Sequence, residues 1–289
     1  MFKDDIFNLI KINYSSFSKG QKKLADFISE HYDLAAFMTA AKLGSVAGVS
    51  ESTAVRFATE LGFKGYPEFR EALEEVVMQR LSAVKRMEVS FGDKKIEELQ
   101  RSIMLSDMEK IRQSIEFCDT NSFVAAVNML CRARRVYIVG IRSCAPLASF
   151  LAFYMQQIRD EVHLVSTSNI SEIFEQMIRM NEEDVVFGIS FPRYSMRTLK
   201  AMEFANNRRA GIITLSDSRH SPVNLYSSCV LLAKSDIASI VDSLVAPLSL
   251  INALIAAMCN EKKDEVRQNL IEMERLWEEF QVYTRDDLQ

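Results

Sequence analysis

A chain of 289 residues has room for two domains of about 150 residues each, both large enough to bury a core. Hydrophobic residues make up 48% and the formal net charge is -4, which excludes a disordered chain and one that coats nucleic acid through a basic surplus. Cys118, Cys131, Cys144, Cys229 and Cys259 are widely spaced and odd in number, and His31, His163 and His220 do not cluster; no disulfide framework, metal or cofactor is expected, and a reducing cytoplasm is the expected setting.

The first run, MFKDDIFNLIKINY, carries acids where a signal peptide would be basic. Its Phe2, Ile6, Leu9 and Ile10 recur at helical spacing, and past the Ser18-Lys19-Gly20 break Leu24, Phe27 and Ile28 form a second stripe. These helices are expected to be a scaffold for the stretch that follows, Thr39 to Phe69. There Thr39 caps a short helix bearing Ala40, Leu43 and Ala47, Gly48 supplies a turn, and Ser50 caps a second helix with Glu51 in its first turn. Ala54, Phe57, Ala58 and Leu61 share one face of that helix, while Ser52, Thr53, Arg56 and Thr59 lie on or beside the other. The pattern predicts a helix-turn-helix. Ser52, Thr53 and Arg56 are its candidate base readers; Lys42, Lys64 and Tyr66, with the small hydroxyl caps Thr39 and Ser50, are candidates for the phosphate backbone. Spacing alone fits a plain packed helix pair equally well.

The run GVSESTAVRFATELGFKGYPEF resembles the N-terminal domain of the RpiR (MurR/RpiR) family of bacterial transcriptional regulators. The resemblance rests on a G-V-S-x-x-T-x-x-R-F core at Gly48, Val49, Ser50, Thr53, Arg56 and Phe57, continued by Leu61, Gly62, Phe63, Gly65, Tyr66 and Phe69. It implies a DNA-binding regulator with a C-terminal sugar isomerase (SIS) domain that binds a phosphosugar effector. Residues 1 to 80 hold ten Lys or Arg against eleven Asp or Glu, so one reader alone is expected to bind weakly. A homodimer or homotetramer would present paired readers to operator DNA, roughly 34 to 36 Å apart or a multiple of that.

Helical pattern continues from Glu71 to Met87, breaks near Gly92, and resumes from about Lys94 to Phe117 with Ile96, Leu99, Ile103 and Ile111 as its stripe. Charged helices of this kind are expected to be solvated connectors. From Thr120 the character changes. The runs 136–140, 162–165, 185–190, 211–216 and 229–233 read as strands, mostly separated by helical segments, which argues a parallel sheet covered on both faces. Ligands bind beyond the carboxyl ends of such strands, so Arg142, Ser143, Cys144, Thr167, Ser168, Ser190 to Ser195, Asp217 and Ser218 become the informative residues.

Over residues 120 to 260 this alternation resembles the SIS fold, in which a G-x-G-x-S turn and an S-x-S-G-x-T loop hold the phosphate with hydroxyls and helix N-terminal N–H groups. Here the first motif is Gly140-Ile141-Arg142-Ser143-Cys144: the second Gly is Arg, the Ser is Cys, and Ser143 stands one place earlier. The second, Ser190 to Ser195, keeps the first Ser and a hydroxyl at the Thr position but has lost the middle Ser and Gly. Both loops have gained an arginine. Arg142 and Arg193 are expected to bind an anion, with Ser143, Cys144, Ser168, Ser190 and Ser195 completing the effector site. The alternative is a SIS-type sugar phosphate isomerase, whose proton transfer needs a placed base; the strand ends offer only Glu172 and His220, and Tyr194 stands where the resemblance leads one to expect Glu. Binding without catalysis is the expectation.

Ala238 to Cys259 approaches the length of a membrane span, but Asp242, Pro247, Asn252 and three serines argue for a buried helix instead. The last helix carries Val266, Leu270, Met273, Trp277 and Phe280 as a narrow stripe suited to another helix. The fold class expected is α/β with a separate all-α domain. Residues 1–80 would be the reader, 81–118 a helical linker, 119–260 a doubly wound SIS-like effector domain and 261–289 a packing helix.

Overall fold

The computed structural model describes residues 6–81, 83–91, 95–167, 169–235 and 242–283. Phe2 of the first stripe, Gly92 and Ser168 lie outside them. The described residues divide into two compact units, one ending at Phe91 and one starting at Lys95.

The first unit is all helical: α1 Ile6–Asn13, α2 Lys19–Glu30, α3 Tyr32–Ala35, α4 Ala40–Val46, α5 Glu51–Glu60, α6 Tyr66–Arg80 and α7 Ala83–Phe91. Local chemistry sets where these helices begin. Ser18 and Gln21 form a reciprocal capping box at α2, Thr39 caps α4, and Ser50 caps α5. Gly48, at φ +68°, takes the left-handed turn between α4 and α5 that a side chain would strain. Ile6, Leu24, Ile28, Leu43, Ala54, Phe57, Ala58 and Leu61 are buried in one core, as their spacing predicts. Phe57 and Phe69 meet edge to face at 5.8 Å, which locks α5 against α6.

The second unit contains α8 Ile96–Phe117, α9 Thr120–Arg132, β1 Val136–Gly140, α10 Ala145–Ile158, β2 Val162–Val165, α11 Ile170–Met177, β3 Val185–Ile189, α12 Met196–Asn207, β4 Gly211–Ser216, β5 Cys229–Leu232, α13 Val245–Glu261 and α14 Lys263–Glu279. All five strands are parallel, in the order β2-β1-β3-β4-β5. β1 and β3 are buried along their whole length, as strands covered on both faces must be. Ile138, Leu151, Phe187, Leu215 and Leu254 form the core on one face; Val139, Ile173, Val186, Met202 and Ile212 form it on the other. α8 packs on α13. Among the described residues no helix is long and apolar enough to cross a membrane, and α13 buries Ile251, Leu254 and Met258 in the core. In α14 only Val266 of the expected stripe is buried, while Leu270 and Phe280 stay exposed.

The crossover from β1 to β2 runs to one side of β1, and the next, from β2 to β3, returns past β1 to its other side. Such a reversal opens a crevice at the carboxyl ends of the two strands. Gly140 pairs with Ile189 at the last step of the β1–β3 register, so both expected phosphate loops start level with each other at that point.

Candidate DNA-reading helix and effector loops

The turn between α4 and α5 is held by two glycines. A Cβ on Gly44 would approach the Val49 carbonyl oxygen to 3.0 Å and that of Ser50 to 3.1 Å, so Gly44 lets the backbones close where Gly48 reverses the chain. Spacing pointed to Gly48 alone, because the clearance at Gly44 depends on residues across the turn. At the start of α5, Ser50 Oγ accepts the Thr53 N–H at 3.3 Å and lies within 2.9 Å of the Ser52 hydroxyl and 2.8 Å of the Thr53 hydroxyl. Three hydroxyls thus converge at a helix N-terminus whose dipole favours an anion. Arg56 is exposed one turn later and its Nε donates to the Ser52 carbonyl at 3.3 Å.

Other expected DNA contacts divide by exposure. Thr39 and Lys42 are exposed at the start of α4, where the Lys42 N–H donates to the Thr39 hydroxyl. Lys64 is exposed, and its N–H donates to Glu68 at 2.7 Å. Thr53 is half-buried, its methyl within 3.3 Å of where a Gly20 Cβ would stand. Tyr66 does not face outward as the phosphate expectation required: it is 6% exposed and its hydroxyl donates to the Met38 carbonyl at 3.0 Å. Burial pushes the Tyr66 phenol up to about 12, with Arg70 opposing the shift. Its aromatic ring is better used in the core than on DNA, since α6 must cover Phe69.

In the second unit Arg142, Ser143 and Cys144 form a 3-10 turn after β1. Arg142 sits at φ +60°, in the left-handed region, at the position where the resemblance places a glycine. Arg142 and Ser143 are exposed; the Cys144 thiol is buried, and burial raises it to about 11 against the opposing pull of the Phe191 N–H and the Ser143 hydroxyl. Cys144 therefore joins the β1 turn to the β3 loop as a neutral packing group. Gly140 is indispensable to the turn, since a Cβ there would meet the Cys144 carbonyl oxygen at 2.7 Å and Ala148 Cβ at 2.8 Å.

The β3 loop folds back on itself. Ser190 is buried and its hydroxyl accepts the Ser195 N–H at 3.2 Å, while Ser195 caps α12 by accepting the Thr198 N–H at 3.4 Å. Ser216 donates to the Ser190 carbonyl at 2.8 Å, and Tyr194 donates to Asp217 at 3.0 Å. Arg193 projects from this loop and is exposed. The loop of Arg142, Ser143 and Cys144 and the loop of Ser190, Arg193 and Ser195 therefore leave adjacent strands at the β1–β3 crevice, and Cys144 touches the second of them at the Phe191 N–H. The loop after β2 stands apart in its bonding: Thr167 and Asn169 both donate to the Glu172 carboxylate, the second at 3.2 Å. Among the described residues no group of three His, Cys, Asp or Glu could hold a metal ion. Tyr194 and Asp217 are marked by the sequence only as strand-end residues, and their pairing is not legible there; Thr198 is not among the expected residues, and a hydroxyl one turn inside α12 is the available signal for it.

A family model described as the helix-turn-helix domain of the rpiR family matches residues 5–80, and the SIS domain model matches residues 129–257. The chain belongs to the RpiR family. It is an HTH-type transcriptional regulator with a SIS domain. This RpiR-family chain is 26% identical over 230 residues to an uncharacterised HTH-type transcriptional regulator of Haemophilus influenzae, covering 78% of the chain and 79% of the relative. A similar regulator of Clostridium perfringens is 23% identical over 211 residues, 73% of this chain and 75% of the relative. Among solved structures, the sugar isomerase domain of an RpiR transcription factor from Sphaerobacter thermophilus aligns at a TM-score of 0.59 and 24% identity, over 62% of this chain and 99% of that one. The Vibrio vulnificus NanR protein, complexed with ManNAc-6P, aligns at 0.56 and 22%, over 93% of this chain and 98% of NanR. At these identities the two likenesses establish the fold.

Proposed function

We propose that this RpiR-family regulator is a cytoplasmic, sequence-specific DNA-binding protein, a homodimer or homotetramer, whose SIS domain senses a phosphosugar or a similar anionic metabolite. Residues 1–80 are its reader, 81–118 its connector, 119–260 its effector domain and 261–289 a packing helix. The single observation that carries the reading is the level start of two hydroxyl-bearing, arginine-bearing loops across the β1–β3 crevice, at Gly140 and Ile189. Arg142 and Arg193 supply charge-assisted contacts in place of the lost hydroxyl and glycine, Ser143, Ser190 and Ser195 supply hydroxyls, and the start of α12 supplies N–H groups. NanR, solved with ManNAc-6P, supports a phosphosugar as the ligand class.

On the DNA side, Ser52 and Arg56 stand exposed on α5 as base readers, and Thr39, Lys42, Ser50 and Lys64 surround them as phosphate contacts. Effector binding alters operator affinity only through unequal affinity for two arrangements of paired readers. Binding without turnover is favoured because the Glu172 carboxylate is engaged by Thr167 and Asn169 in its own loop. The test is fluorescence anisotropy of the full chain on DNA from upstream of its own gene, with and without ManNAc-6P and other sugar phosphates. Loss of binding in Arg56→Ala and loss of the ligand response in Arg193→Ala are expected. Aldose-ketose turnover by the purified protein, or DNA affinity untouched by Arg56→Ala, would overturn the reading.

A further inference from the structure

The helix expected to serve only as scaffold, α2, touches the reading turn directly. A Cβ on Gly20 would stand 3.3 Å from Thr53 Cγ2 and 3.4 Å from Val49 Cγ1, so the first turn of α2 lies against the start of α5. Three residues on, Lys23 reaches the turn itself. Its Nζ is 3.9 Å from where a Gly48 Cβ would stand, and among the described residues no other atom beyond Gly48 and its chain neighbours comes within 4 Å of that point. Lys23 is exposed, and its ammonium makes no ion pair or hydrogen bond among the described residues. Lys22, one place earlier, is used differently: its Nζ sits over the Tyr14 ring, 5.5 Å from the centroid.

The charge of α2 runs against its own stability. Lys19, Lys22 and Lys23 fall within its first five residues and no acid stands in its first turn, although a helix N-terminus favours negative charge. A local rule broken at an exposed place points to function rather than to folding. An anion from outside the chain would offset that cost. Position gives the anion its class. Gly48 stands two residues before Ser50 and the hydroxyl cluster that opens α5. The helix before it, α4, is 7 residues long, which is about 10 Å, close to the width of about 12 Å that a DNA major groove presents. Thr39 and Lys42 lie at the start of α4, and Lys23 lies beside the turn at its end. The two ends of α4 thus carry cations at a separation that matches the groove α5 would enter.

We infer that Lys23 is a further DNA ligand, holding a backbone phosphate beside the Gly48 turn, across the groove from Thr39 and Lys42. The inference rests on the DNA reading above and extends the site to a helix outside the helix-turn-helix. Such a contact carries no base information; it fixes the register and depth at which α5 enters the groove.

Fluorescence anisotropy of the full chain on DNA from upstream of its own gene and on shuffled DNA, across a series of salt concentrations, tests this with wild type, Lys23→Ala, Lys23→Arg, Lys22→Ala and Arg56→Ala. Lys23→Ala is expected to bind both DNAs roughly 3- to 10-fold more weakly and to lower the slope of log affinity against log salt by about 0.9 for each reader engaged, the signature of one lost phosphate contact. Its melting temperature should equal that of wild type, Lys23→Arg should keep affinity and slope, and Lys22→Ala should keep the slope. Should Lys23→Ala fail to fold, Lys23→Gln carries the same test. A slope unchanged in Lys23→Ala, while Arg56→Ala loses its preference for the upstream DNA, overturns this inference alone. An equal fall in Lys22→Ala overturns it too, because the effect would then be one of net charge rather than of a placed contact. A wild type that binds neither DNA overturns both this inference and the DNA reading.

Discussion

The Tyr194 hydroxyl donates to Asp217, 3.0 Å from Oδ1 and 3.3 Å from Oδ2, tying the loop after β3 to the loop after β4. The Ser216 hydroxyl, which donates to the Ser190 carbonyl, lies 3.2 Å from the same carboxylate. The effector loop is thus braced from the neighbouring strand rather than only from its own backbone. Tyr194→Phe should lower stability by about 1 kcal/mol, the net worth of one hydrogen bond, and weaken effector binding more than that by loosening Arg193 and Ser195. Urea denaturation beside ligand titration separates the two effects.

Arg142 holds a left-handed conformation that costs a non-glycine residue on the order of 1 kcal/mol. Arg142→Gly relieves that strain while enlarging the unfolded ensemble. The expected outcome is stability equal to or slightly above wild type together with weakened anion binding. A large fall in the urea midpoint would show that the arginine side chain braces the turn.

Gly140→Ala forces a methyl against the Cys144 carbonyl oxygen and Ala148, where no flexible side-chain end can yield. A loss of about 1 to 3 kcal/mol is expected, with effector binding impaired in the folded fraction. Gly44→Ala, which crowds the Val49 and Ser50 carbonyls, should instead reduce operator affinity while leaving effector binding unchanged, because it acts within the reader unit.

Alkaline stability follows from two buried neutral groups. Burial raises Cys144 from 9.0 to about 11 and Tyr66 from 10.0 to about 12. Both are protonated in folded and unfolded chains at neutral pH, so neither makes stability depend on pH there. Above about pH 9 the unfolded state loses the thiol proton first, and above about pH 10 the phenol proton as well, so stability falls as pH rises toward the folded values. Each raised group amounts to about 2 to 3 kcal/mol across its window. Urea midpoints from pH 7 to 11 should be flat and then fall, with the Cys144→Ser variant losing the lower part of the decline. Alkylation at pH 7.5 should mark the exposed Cys118 quickly and Cys144 slowly.

On DNA, Arg56→Ala should cost about 1 to 3 kcal/mol and relax sequence preference, whereas Lys42→Ala or Lys64→Ala should weaken binding evenly across sequences and flatten its salt dependence. Competition with shuffled DNA at two salt concentrations distinguishes these patterns.

Elements governed by near neighbours were legible in the sequence. Ser50 caps α5, Gly48 turns the chain, and the apolar runs from Val136 and Val185 become strands, because caps, turns and buried strands are written in residue types a few positions apart. The strand ends were legible for the same reason, and with them the loops of Arg142 and Arg193. What only the tertiary structure decided depends on residues far apart in the chain. Tyr66 turned inward to Met38, Cys144 settled against Phe191, and Lys110 was buried in a helix whose charges read as solvated. Periodicity states which face of a helix is apolar; only the packed chain states what stands opposite it, and that neighbour sets whether a hydroxyl is spent, a thiol stays neutral or an ammonium is buried.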